Sequence, residues 1–104
     1  MTIKQFDVVP YPIASGRKEK PYLVCIQHRR LDHVRTRLFA TLIANTKIED
    51  TRLNPEFKIE DKIVYLDPTD IVTLSVARLG DTVVNLEPQR DRIIAALDLV
   101  FTGV

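Results

Sequence analysis

Hydrophobic and polar positions alternate along most of this chain and change to a helical period only near its end. Ile3 to Val9 alternates apolar and polar side chains until Pro10 and Pro12 stop regular pairing, which predicts a first strand. Ser15 to Pro21 is polar, charged and punctuated by Gly16 and Pro21, the signature of a mobile loop. Tyr22 to Gln27 and Arg37 to Ile43 predict two further strands around a turn at Leu31, Asp32 and His33. After Asn54-Pro55, the segments 57–59 and 63–66 flank the turn Glu60-Asp61-Lys62 as a hairpin. Asp67 to Asp70 reads as another turn, Ile71 to Leu79 as a strand, and Val83-Val84 as a short piece of sheet. Pro88 suits the first turn of a helix that runs to about Phe101, with Gly103 as its cap. At helical spacing Ile93, Leu97, Val100 and Phe101 are expected to face the core, with Ile94 and Asp98 on an adjoining face. Five to seven short strands and one final helix define a mainly β fold, a small barrel or folded sheet carrying a C-terminal helix.

The apolar run of that helix continues through Thr102, Gly103 and Val104 without a polar tail. Such a segment is expected to pack on the domain, on a second subunit or on a target. The 104 residues, 45% of them hydrophobic, fit a single domain over 1–104 with one core and no need of metal or disulfide staples. Fifteen basic and fourteen acidic residues leave a net charge of +1, so any nucleic-acid or membrane binding has to be local. The one cysteine, Cys25, lies in an apolar strand and is expected to be buried and reduced. No secretion signal or membrane span is evident, which makes the cytoplasm the expected location.

Candidate chemistry is sparse. His28 and His33 admit a metal site or an acid–base pair, but they lack a third ligand and read as members of a polar loop. Arg29, Arg30, Arg35 and Arg37 form the densest positive stretch, open to phosphate, to an acidic partner or simply to solvent. Neither a nucleotide-binding glycine motif nor a metalloprotease, hydrolase or CxxC pattern occurs, so no cofactor, no metal and no enzymatic activity are expected.

Gln5-Phe6, the run Tyr22 to Gln27, Leu53-Asn54-Pro55, Asp70, Gly80, Leu86 and the ending Ile93 to Val104 together resemble the CcdB family of toxins. The resemblance implies an SH3-like barrel of the CcdB/MazF type and a homodimer. It also implies poisoning of DNA gyrase, through its A subunit, by trapping the cleavage complex. A CcdA-like antitoxin is the implied partner, one that supplies the DNA contact when the pair represses its own operon. The family's gyrase-binding ending maps onto Thr102, Gly103 and Val104, where its best-known pattern reads Trp-Gly-Ile. Losing a Trp anchor costs an interface on the order of 2 kcal/mol. Antitoxin contacts map onto Asp98 and Phe101 and onto Ser15, Gly16 and Arg17. Because MazF and Kid toxins share the barrel, an endoribonuclease using His28, His33 and Arg35 is the alternative, and an inactive copy that only binds antitoxin is a third reading.

Overall fold

The computed structural model describes residues 2–44 and 47–104. Among the described residues six strands, β1 (Asp7–Pro10), β2 (Tyr22–Cys25), β3 (Thr36–Ile43), β4 (Glu56–Ile59), β5 (Lys62–Ser75) and β6 (Val84–Asn85), precede an α-helix, α1 (Arg90–Phe101). All pairings are antiparallel, in the order β4-β5-β3-β2-β1-β6. The expected fold class is therefore the observed one: a mainly β, barrel-like sheet with a C-terminal helix.

Strand alternation feeds two cores. Val8, Val24, Ala40, Leu42, Val64 and Leu66 point to the side covered by α1, where Ile93 and Ala96 are buried among them. Val9, Leu23, Cys25 and Phe39 point to the other side, against Val72, Leu74 and Val76. A two-residue period thus assigns neighbouring apolar residues to opposite faces, which is why β2 is apolar at every position.

Three expectations change. Asp67 to Asp70 does not separate two strands. It is a bulge inside one 14-residue strand, because Ala40 pairs with Ile71 while the next residue, Thr41, pairs with Asp67. The turn chemistry is real: Asp67 Oδ1 accepts from the Thr69 amide at 3.1 Å and hydroxyl at 2.7 Å. Its effect is to bend β5, so that Val64 and Leu66 serve one core and Val72 and Leu74 the other. The first strand begins at Asp7 rather than Ile3, since Phe6 adopts φ 71° and the Asp7 amide turns back to the Lys4 carbonyl. The strand from Ile71 ends at Ser75, whose hydroxyl caps a 3₁₀ turn over Val76–Arg78 by accepting from the Ala77 amide.

Cys25 is fully buried, as its apolar neighbours imply. Burial pushes its thiol from an ordinary 9.0 up to about 11. Tyr22 is likewise raised to about 12, first by burial and then by its hydrogen bond to Glu60. Both groups hold their protons in the folded state above the pH at which the unfolded chain releases them. Stability is therefore expected to fall as pH rises from 9 toward 12. Thiol labelling at pH 8 should be slow in the native protein and fast after denaturant. Rapid native labelling would contradict the burial of Cys25.

Candidate functional site

The core stripe of α1 is Ile93 and Ala96, supported by Ile94 and Leu97. Val100 and Phe101, expected inside, are instead 37% and 66% exposed, and Val104 is 71% exposed. The small side chain of Ala96 seats the helix directly on the sheet, so the buried stripe turns through positions 93, 96 and 97. This leaves residues 100 and 101 facing outward in the last turn. An apolar surface stands on a rigid helix where the sequence pattern placed core.

The end of this helix is built by local rules. Gly103 has φ +77°, and its amide donates to the Asp98 and Leu99 carbonyls, closing an αL cap. The Thr102 amide and hydroxyl both donate to the Asp98 carbonyl at 2.8 Å. Asp98, Phe101, Thr102, Gly103 and Val104 are all exposed and form one continuous end. A Cβ on Gly103 would meet nothing within 4 Å, so the left-handed backbone alone requires glycine. Gly103→Ala is expected to cost about 1 kcal/mol of cap stability without a steric clash, checked by a urea melt.

Ser15, Gly16 and Arg17 lie in a separate turn, at Ala14–Gly16 and just after it, between β1 and β2. That segment, expected to be a mobile loop, carries its own bonds. The Lys20 amide donates to the Gly16 carbonyl, Arg17 Nε to the Tyr11 carbonyl, and the Ala44 amide to the Glu19 carbonyl. Gly16 packs under the Tyr11 ring, where a Cβ would approach Tyr11 Cε2 to 2.9 Å. Lys20 pairs with Asp70 in the bulge of β5 at 3.1 Å. The bonds of this turn run to the bulge and to the end of β3, whereas the segment after α1 is bonded to Arg52.

The positive stretch divides. Arg37 is buried and structural: its guanidinium donates to the carbonyls of Ile3, Val34, Thr36 and Asp32. Arg29, Arg30 and Arg35 are exposed. His28 enters a cleft of about 620 Å³ that Arg29, Asp32, Asp7, Lys4 and Arg90 also line, while His33 and Arg35 are not among its walls. His28 Nδ1 accepts from the Arg30 amide at 3.1 Å, leaving Nε2 to carry the ring proton in the neutral form. The Asp7 carboxylate in that cleft is taken up by the Lys4 amide, Thr82 and Asn85. Of the three residues suggested for ribonuclease chemistry, His28 lines this cleft and His33 and Arg35 do not. Among the described residues no three His, Cys, Asp or Glu side chains converge as metal ligands. No helix among the described residues is long and apolar enough to cross a membrane.

Two side chains that reach α1 from the 50–54 segment, one at its first turn and one just past its last, carry no local signal. Glu49-Asp50 reads as turn chemistry, yet Asp50 Oδ1 pairs with Arg92 of α1 at 3.0 Å. Arg52 Nη2 donates to the Val104 carbonyl at 2.5 Å. Both contacts cross more than forty residues of chain, so spacing along the sequence does not reveal them.

Comparison with solved structures returns the same architecture in toxins. An endoribonuclease in complex with its cognate antitoxin, from a mycobacterial species, superposes with a TM-score of 0.72 at 18% identity, over 91% of this chain and 90% of that one. A mycobacterial endoribonuclease gives a TM-score of 0.68 at 16% identity, over 94% and 90%. The Mycobacterium tuberculosis toxin MazF-mt6 gives 0.68 at 12% identity, over 94% and 96%. At these identities the likeness is one of fold. A search of curated proteins finds no sequence match. The CcdB protein family matches residues 5–103, from the turn before β1 through the αL glycine after α1, and the chain therefore belongs to the CcdB family of toxin–antitoxin toxins.

Proposed function

We propose that this chain poisons DNA gyrase by binding its A subunit and trapping the DNA cleavage complex, and that a CcdA-like antitoxin neutralises it. The observation that carries this reading is the outward apolar end of α1, where Val100, Phe101 and Val104 are exposed beside the capped Thr102-Gly103 turn. A rigid apolar projection adds binding free energy to whichever enzyme–DNA state offers a cavity for it. Trapping then follows from differential affinity and needs no covalent chemistry by the toxin. With Thr102 at the position of the family's Trp, Phe101 is the large aromatic left at the surface to act as anchor.

The antitoxin is expected to cover Asp98 and Phe101, so that gyrase and antitoxin compete at one end of the molecule. A segment that folds on binding can do this while also reaching Ser15, Gly16 and Arg17 in the turn between β1 and β2. A homodimer, and operon repression in which the antitoxin supplies the DNA contact, complete the proposal.

The test is gyrase with supercoiled plasmid and ATP, with and without the purified toxin, followed by detergent and protease. Linear DNA supports the reading. Unimpaired gyrase together with cleavage of single-stranded RNA would replace it with the endoribonuclease reading. Unimpaired gyrase without RNA cleavage, but with antitoxin binding, would leave an inactive copy.

A further inference from the structure

The segment Thr102–Val104 leaves the helix through a glycine in the left-handed region, and Val104, 71% exposed, belongs to neither core. A chain of this kind would ordinarily sample many conformations, and a target would have to order it at an entropic cost. Here the 50–55 segment reaches across and holds it.

That segment is itself firmly built. Asp50 Oδ1 accepts from the Glu56 amide at 2.9 Å and pairs with Arg92 at 3.0 Å. The Arg92 guanidinium lies 4.9 Å from the centre of the Phe57 ring, which fixes the partner of Asp50 against β4. Thr51 and Asn54 close the turn on each other: the Asn54 amide donates to Thr51 Oγ1 and the Thr51 amide to the Asn54 carbonyl. Asn54 Nδ2 anchors the turn to the Leu66 carbonyl of β5 at 3.0 Å. Arg52 projects from this clamped turn, and its guanidinium donates to the Val104 carbonyl.

We infer that Arg52 is a positioning residue for the Thr102–Val104 segment, holding it in its target-binding conformation before the target arrives. The inference rests on the gyrase reading above and extends the working surface from α1 to the 50–55 turn. The guanidinium acts as a fixed donor on the main-chain oxygen of Val104, so it leaves the Val104 side chain free for the partner.

The experiment compares the wild-type protein with Arg52→Met, which keeps an apolar stem and deletes the donors, and Arg52→Lys, which keeps a cationic donor. Two readouts are taken: the toxin concentration giving half-maximal linear DNA with gyrase, and NMR relaxation of the Gly103 and Val104 amides in the free toxin. Arg52→Met is expected to raise the half-maximal concentration about tenfold and to mobilise both amides, with most of each effect restored by Arg52→Lys. Lost potency with amides as rigid as in the wild type would mean that Arg52 touches gyrase directly, and would overturn the inference. Unchanged potency in Arg52→Met, with an active wild type, would also overturn it. A wild type that yields no linear DNA would sink the gyrase reading itself and this inference with it.

Discussion

Deleting Gly103 and Val104 is expected to abolish gyrase trapping and growth arrest while leaving the fold intact. Neither residue belongs to either core, and the last buried helix position is Ala96. The deletion removes the αL cap and the bond from Arg52, both at the surface, so the melting temperature should move by no more than about 4–8 °C, as for a loss near 1 kcal/mol. At the interface the same deletion takes away Val104 and frees Thr102 to fray. Interface anchors of this kind are worth roughly 2 kcal/mol or more each, and losing one together with the ordering of its neighbours lowers affinity by roughly 100-fold. Circular dichroism and thermal melting measure the first quantity, and linear-DNA formation the second. If the truncated protein folds and still traps gyrase at wild-type concentrations, the working surface lies elsewhere on the molecule.

The fold was legible wherever strand alternation or helical spacing acts over a few residues. β2, β3 and β4 lie where Val24, Phe39 and Phe57 place them, and Gly103 marks the helix end because only a positive φ closes that cap. The two misreadings that bear on the site have their physical origin in long-range packing. Asp67-Pro68-Thr69 has the hydrogen bonding of a turn, and only pairing with β3 makes it a bulge that redirects β5 between two cores. Val100 and Phe101 satisfy a helical period, but the face that is buried depends on how closely the Ala96 side of the helix approaches the sheet. The same limit applies to the candidate site. Thr102, Gly103 and Val104 are adjacent in sequence and could be singled out, whereas Asp50 and Arg52 reach the helix only through the fold. Arg37 shows the converse, since a residue grouped with the positive stretch is buried, 3% exposed, and spends its guanidinium on backbone.

Arg37→Met is expected to destabilise the protein by about 3–5 kcal/mol. The guanidinium, 3% exposed, is spent on backbone: Nε donates to the Ile3 carbonyl at 3.0 Å, Nη1 to the carbonyls of Val34 and Thr36, and Nη2 to the Asp32 carbonyl at 2.9 Å. It thereby joins the N-terminal segment, the turn at Arg29–Leu31 and the start of β3, three pieces that share no strand pairing there. Asp32 Oδ1 has no hydrogen-bond donor, and the Arg37 charge 3.8 Å away compensates it. Methionine fills similar volume, so the loss comes from orphaned carbonyls and an uncompensated carboxylate rather than from a cavity. For a domain of this size the change corresponds to a fall of roughly 12–40 °C in melting temperature. Arg37→Lys should recover only part of it, because one ammonium cannot span carbonyls arranged around a planar fork. The double variant Arg37→Met/Asp32→Asn separates the two costs: removing the carboxylate charge should restore a measurable part of the stability. No recovery would show that the orphaned carbonyls account for the whole penalty. A melting temperature for Arg37→Met within about 4 °C of the parent would mean that these backbone contacts are replaced by water at little cost, contrary to their burial.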